Sequence, residues 1–593
     1  MHLLSIVADG NGGRFFVSPN EQQIKIADCG EPQWKPEAAM NQDCTDLVSG
    51  RGYGFTHWHE LFTNRQLMAL STFSDLVSEA HAQVIGDCGK NDYADAICVY
   101  LTFAISKMTN IDNAFVPWSV TRDQAVQLFS RQAIPMVWDF VENNVFNNSA
   151  GDFFVSLSGI CRVIENFNCK NQGYAKQHDA QTDNGLRSMM VSTDPPYYDM
   201  IGYADLSDFF YLWQRPSLKT IYPDLFRTML VPKSEELVAT AYRFDGDRNK
   251  ARQFFENGML QTFRKIHVYS HEDIPVTVYY AYKQSENEGE KTASTGWETM
   301  LSAIINAGFT ITGTWPVRSE RPTGLKVDVN ALASSIVLVC RKRPFDAPIC
   351  TRRDFINTLK RELKPALQKL QASSIAPVDL AQSAIGPGIG VYSRFSKVLE
   401  ADGTSMSVRS ALQIVNQELD LYFTEQDGEL DRDSRFCIDL YTQNAFNDMK
   451  FGEADVLARA KNTSVEKLAS SKIIHAQKGV VRLLTRDEIP ETTENKEVNI
   501  WLLTQQLTRT MEKEGVVGVA KITANVLTSH PDQAKALAYR LFTIAERKGW
   551  TQDAYAYNSL IIGWPEVQSK AAELRPIRKN SKQRTLFDTE NNA

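Results

Sequence analysis

Two adjacent prolines constrain this chain more than any other feature. The hexapeptide Asp194-Pro195-Pro196-Tyr197-Tyr198-Asp199 follows a short apolar run, Met189-Met190-Val191-Ser192. Neither proline rotates freely about φ or donates a backbone hydrogen bond, so the hexapeptide forms a stiff turn where regular structure must stop. Beyond it, Tyr203–Trp213 reads as a helix. Asp205 suits its N-cap, Asp208 stands three residues on in capping-box position, and Leu206, Phe209, Phe210 and Trp213 share one face. Strand, rigid turn and helix in that order are how an open α/β sheet presents a site at the carboxyl end of a strand.

The residue types in the turn suit one chemistry. A carboxylate from Asp194 and the carbonyl of Pro195 can both accept hydrogens from an exocyclic amino group, which orients the nitrogen lone pair for attack on a sulfonium methyl. Tyr197 offers a ring face to a base taken out of its stack. Asp194-Pro195-Pro196-Tyr197 matches the D-P-P-Y signature of methyltransferases that modify exocyclic amino groups of DNA bases. The same tetrapeptide also suits an ordinary tight turn. Its place between a strand-like run and a helix favours the chemical reading.

The net charge of −7 does not mark the chain as a nucleic-acid binder. If DNA is the partner, the basic surface is local. Two windows qualify. From Arg341 to Lys364 there are eight Lys/Arg against three Asp/Glu, including Arg341, Arg343, Arg352 and Arg353. From Arg575 to Arg584 there are five basic residues and no acid. Each window also reads as a solvated helix face or a tail. The nine cysteines include no C-x-x-C pair, which leaves no zinc ribbon and suits a reducing cytoplasm. No signal peptide is evident, and the longest apolar runs, such as Ser335–Cys340, are strand length. The expectation is a cytoplasmic protein without a membrane segment. His57-Trp58-His59 lacks neighbouring ligands in sequence, and no metal site is expected.

Three regions are expected. Residues 1–180 form a mixed α/β and helical region, opening with a hairpin turned at Asp9–Gly13 and carrying helices at Arg65–Val77 and Ala94–Met108. Residues 181–345 hold the D-P-P-Y turn, a helix near 250–265, strands at Pro275–Tyr282, Phe309–Trp315 and Ala333–Arg341, and a helix at Trp297–Asn306 closed by Gly308. Residues 346–593 read as mostly helical, most clearly at Arg352–Gln371, Val408–Glu425 and Ala534–Lys548. Gly386-Pro387-Gly388-Ile389-Gly390 follows a helix-like stretch, so it reads as a helix terminator and turn. The tail Ser581–Phe587 resembles the Q-x-x-L-F peptides that bind bacterial sliding clamps, through Gln583, Leu586 and Phe587.

Taken together, these residues name a family. The chain resembles the large bacterial adenine-specific DNA methylases that carry a zinc-ribbon insertion and are often encoded beside phage-defence genes. The resemblance rests on Phe62–Leu67, Ala133–Asp139, Asp194–Trp213, Trp297–Leu301, Ala333–Arg341, Ala538–Phe542 and Glu546–Trp550. It implies an α/β fold: a partial Rossmann-like methyltransferase sheet, closed by a hairpin strand beside parallel ones, followed by the mostly helical carboxyl-terminal region. It further implies N6-adenine methylation of DNA with S-adenosyl-L-methionine as donor. Asp194 and Pro195, with Pro196 in the turn, would hold the amino group, and Tyr197 would stack on the flipped base. Tyr198, Asp199, Arg341 and Arg343 are the further substrate-side candidates.

In that family the donor is held by an earlier segment, a strand ending in an acidic, glycine-rich turn. The chain is expected to start after that segment and after the zinc ribbon. It would then be the carboxyl-terminal part of a split enzyme whose partner polypeptide carries the donor-binding strands, with a phage-defence ATPase or nuclease as a further partner. The alternative within enzymes is a cytosine-N4 methylase. The alternative outside them is a non-catalytic DNA-binding or assembly subunit.

Overall fold

Thr63 starts the first long helix by accepting a hydrogen bond from the Gln66 amide, while the Gln66 side chain accepts from the Thr63 amide. In this computed structural model, which describes residues 3–574 except 12, 44–53, 131–132, 136, 169, 199–201, 281–294, 319–333, 374, 376, 428–429, 478, 491–498 and 527–528, that helix runs from Asn64 to Cys88. It ends at Gly89, whose φ of 66° is the left-handed conformation a terminating residue adopts when it lacks a Cβ. A second helix, Asn91–Thr109, returns along it.

The fold is mixed α/β and 54% helical, with small sheets and a helical carboxyl-terminal region. The chain divides into two units, Met1–Asn184 with Pro196–Thr262, and Gly185–Pro195 with Phe263–Ala593. In the first unit the hairpin Ile6–Gly10 and Gly13–Val17 forms where the glycine turn was expected. The helix Tyr203–Leu218 packs on the helical pair. Its Phe209 stacks on Phe62 at 5.7 Å, and Trp213 meets the same ring edge-on at 5.5 Å. Both side chains are about 1% exposed, so each contributes about 2–3 kcal/mol of burial. The hydroxyls of Ser74 and Ser217, 2.9 Å apart, satisfy one another inside this interface.

The second unit holds a four-stranded sheet. Ser192–Thr193 pairs parallel to Val276–Tyr280, with Ser192 opposite Thr277. Ser334–Lys342 lies antiparallel on the other side of Val276–Tyr280, and Phe309–Arg318 is antiparallel beyond it. The last strand in sequence is therefore inserted between two that run parallel to each other. The helix Thr295–Asn306 makes the crossover, burying Trp297, Met300, Leu301 and Ile304. Alternation along the central strands buries Val276, Val278 and Tyr280, and Ile336, Leu338 and Cys340.

Helices Arg352–Ala372, Pro377–Ser393 and Val408–Asp427 follow, then a helical array ending at Leu574 around the three-stranded sheet of 449–450, 474–477 and 480–483. One expectation fails here. Gly386–Gly390 does not end a helix but lies inside Pro377–Ser393. Tertiary packing decides this. A Cβ on Gly386 would stand 2.0 Å from Thr314, one on Gly388 2.6 Å from Val415, and one on Gly390 3.0 Å from the Ile311 carbonyl. The glycines let the helix lie against the strand Phe309–Arg318 and the helix Val408–Asp427, where any side chain would hold it off.

Candidate functional site

The D-P-P-Y segment crosses the boundary of the two units, with Asp194 and Pro195 in the second and Pro196 and Tyr197 in the first. In the second unit, among the described residues, Met189–Thr193 is paired along one side. Met189 donates to the Tyr269 carbonyl at 2.9 Å and accepts from His271, and the Val191 carbonyl accepts from Thr277 at 3.0 Å. Val191 points into the unit, whereas Met190 is 75% exposed and Ser192 is exposed as well. Asp194 follows the strand end as an exposed carboxylate, and Pro195 is buried. Partial desolvation raises the Asp194 carboxyl above its ordinary range.

In the first unit, Pro196, Tyr197 and Tyr198 are half-buried. The Tyr198 carbonyl accepts from the Ala239 amide at 2.7 Å, and its ring meets Phe255 edge-on at 5.1 Å. Asp199 lies outside the described residues.

The helix after the turn begins differently from its sequence pattern. Gly202 is the N-cap, and Asp205 sits in the first turn, 4% exposed. Its carboxylate is claimed by tertiary partners instead. It accepts from Asn41 at 3.0 Å, from Arg243 at 2.9 Å and from the Tyr242 hydroxyl. These bonds hold the carboxyl below its usual range despite burial, which pulls the other way. Asp208 is likewise not part of a capping box. It is 1% exposed, pairs with Lys233 at 2.7 Å and accepts from the Val231 amide. The cap that the helix needs comes from a distant side chain: Glu236 accepts from the Ala204 amide at 2.9 Å. Sequence reading missed Glu236 and Arg243, and no local signal marks them. Their partners are 7 to 38 residues away.

The basic candidates are engaged structurally. Arg341 donates to the Asp273 carbonyl at 2.7 Å. The half-buried Arg343 donates to the carbonyls of Ile305 and Ser393, at the ends of two helices, and burial lowers its pKa. On the helix Arg352–Ala372, Arg352, Lys360 and Lys364 are exposed but pair with Glu400 at 2.8 Å, Glu418 at 3.7 Å and Glu425 at 3.0 Å. Gln583, Leu586 and Phe587 lie outside the described residues. Among the described residues no three His, Cys, Asp or Glu side chains converge as a metal site, and no helix is long and apolar enough to cross a membrane.

Residues 431–586 match a family model described as a domain of unknown function (DUF8807). No curated protein and no solved structure matches the chain.

Proposed function

We propose that the chain is the catalytic half of an S-adenosyl-L-methionine-dependent DNA methyltransferase acting on the N6 amino group of a flipped-out adenine, within a restriction or phage-defence system. The observation that carries this reading is the position of Asp194. It is an exposed carboxylate at the carboxyl end of a parallel strand, followed by two prolines and an aromatic ring. The strand order supports it: the parallel pair, then an inserted antiparallel strand, then the strand that precedes it in sequence, is the order expected of the closing half of a Rossmann-like methyltransferase sheet.

Each residue then has a role. The Asp194 carboxylate and the Pro195 carbonyl accept the two amino hydrogens, which localises the nitrogen lone pair for attack. The prolines keep the two acceptors at fixed spacing. Tyr197 replaces the stacking that the base loses on leaving the duplex. The donor itself is not held by either glycine-rich segment. Gly10 and Gly13 end hairpin strands, and Gly386, Gly388 and Gly390 are packed against neighbouring side chains and backbone. The reading assigns donor binding to strands added beside Ser192–Thr193, the terminal strand of the sheet among the described residues.

The test is transfer of a labelled methyl group to adenine-containing DNA, read as N6-methyladenine, with calorimetric titration of the donor into the chain. Transfer that survives Asp194→Ala sinks the proposal. Donor binding by the chain alone would overturn the assignment of that pocket to other strands. A non-catalytic DNA-binding subunit is the second reading, resting on the exposed basic face of Arg352–Ala372; its pairing with Glu400, Glu418 and Glu425 weakens the field available to a phosphate.

A further inference from the structure

Behind the turn stands a set of charges that does more than fill space. Arg243 is 11% exposed in its side chain, and one nitrogen, Nη2, reaches two carboxylates, Asp205 at 2.9 Å and Glu236 at 2.6 Å. Nε donates to the Tyr242 hydroxyl at 3.1 Å, and Nη1 donates to the Lys233 carbonyl at 3.1 Å. The guanidinium thereby uses all three of its nitrogens and ties the segment Lys233–Arg243 to the first turn of the helix Tyr203–Leu218. Asn41 completes the coordination of Asp205 from a third part of the chain.

Two bonds from that same segment hold the chain that follows directly on the D-P-P-Y tetrapeptide. Ala239 donates to the carbonyl of Tyr198, the residue next after the tetrapeptide, at 2.7 Å. Glu236 accepts from the amide of Ala204, where the helix begins, at 2.9 Å. Tyr198 and the start of the helix are thus both held by one short segment, and that segment is held by Arg243. Buried ion pairs add little net stability over apolar side chains of the same size. A triad of two carboxylates and one guanidinium is therefore a poor way to gain stability alone, and a good way to fix geometry: the planar fork accepts only one arrangement of its partners.

We propose that Arg243 is a positioning residue: through Glu236 and the segment ending at Ala239 it sets the orientation of Tyr197 and Tyr198 in the base-binding turn. The consequence for activity rests on the methyltransferase reading above; the mechanical coupling does not.

The experiment is amide hydrogen exchange on the full chain carrying Arg243→Gln, comparing peptides that cover 197–206 with peptides from the helix Asn91–Thr109 in the same unit. The expected result is exchange at least ten-fold faster over 197–206, with the reference helix unchanged. Exchange over 197–206 that stays at the wild-type rate overturns the proposal. If Arg243→Gln loosens the whole unit, Glu236→Gln decides, since it keeps the Ala204 acceptor and removes only the negative charge that pairs with Arg243. Local loosening in that variant supports the coupling and its absence overturns it. Where methyl transfer is measurable, Arg243→Gln lowers kcat with KM for DNA unchanged; a rise in KM alone would show a binding role and overturn positioning. A wild-type chain that shows the exchange coupling but no transfer with any donor-binding partner sinks the methyltransferase reading and leaves the coupling intact.

Discussion

Gly386 and Thr314 are packed so closely that a methyl group on the glycine would lie 2.0 Å from Thr314 Cγ2. The Thr314 hydroxyl also donates to the Ser383 carbonyl, one turn earlier on the same helix, at 3.1 Å. Helix and strand are thus locked by a contact that tolerates no side chain. Gly386→Ala is expected to destabilise the second unit by about 1–3 kcal/mol through overpacking, despite alanine's better helix propensity. Chemical denaturation measures the loss. Thr314→Ala in the same chain recovers part of it, and a stabilising Gly386→Ala would refute this account of the glycines.

Asp194→Ala removes the acceptor for the amino group without touching the core, because the side chain is exposed. Methyl transfer is expected to fall by at least about 100-fold, while circular dichroism and the unfolding temperature stay at wild-type values. Asp194→Asn keeps the shape and loses the charge, so it separates geometry from electrostatics.

The ionised form of Asp194 accepts its amino hydrogen far more strongly than the protonated acid does. Its pKa is raised by partial desolvation, so activity is lost as pH falls through that raised value, at higher pH than an ordinary aspartate would give. A pH–rate profile on DNA saturated with enzyme tests this. An acidic limb at the position of an unperturbed carboxylate, or none, would remove Asp194 from the reaction.

Asp112 is 2% exposed, neither of its oxygens has a hydrogen-bond partner among the described residues, and burial pushes its pKa up to about 8. Asp152 and Glu142 add like charge, while the Asn143 side chain opposes them. The folded state holds this proton far more tightly than the unfolded chain does. Its contribution to stability is therefore complete below the unfolded value near 4, and is lost progressively as pH rises through about 8. The slope cannot exceed about 1.4 kcal/mol per pH unit. Thermal unfolding between pH 5 and pH 9 reads it, and Asp112→Asn is expected to flatten the curve and to raise stability at the alkaline end.

Arg486 lies over the Tyr557 ring at 4.9 Å and reaches Asp553 at 2.5 Å, while Asp553 also accepts from Tyr441 at 3.0 Å. These residues join a loop and two helices of the segment that matches the family model. Arg486→Ala leaves a half-buried carboxylate with the Tyr441 hydroxyl but without its counter-charge and is expected to cost about 3 kcal/mol, read by urea unfolding. Arg486→Ala combined with Asp553→Ala is expected to cost less than the sum of the two single changes.

Much of the architecture was written in local pattern. Apolar spacing and caps located the helices Thr295–Asn306 and Arg352–Ala372 and the start of the helix Asn64–Cys88, whose run beyond Val77 they missed, and β-branched runs located the strands Val276–Tyr280 and Ser334–Lys342. Those signals are local because a helix face or a strand face repeats within a few residues. The two prolines likewise marked the turn at Asp194 without help from the fold. What only the tertiary structure decided was the use of residues whose partners are distant in sequence. Asp205 and Asp208 look like caps, yet burial against Arg243 and Lys233 claims their carboxylates, since a buried charge must be paired. Gly386–Gly390 looks like a terminator, yet it continues a helix because the strand beside it leaves no room for a Cβ. Arg343 looks like a surface charge, yet it closes two helix ends. Sequence period reports which face is apolar. It does not report which group stands opposite, and in this chain that opposing group determines what each charged or glycine residue does.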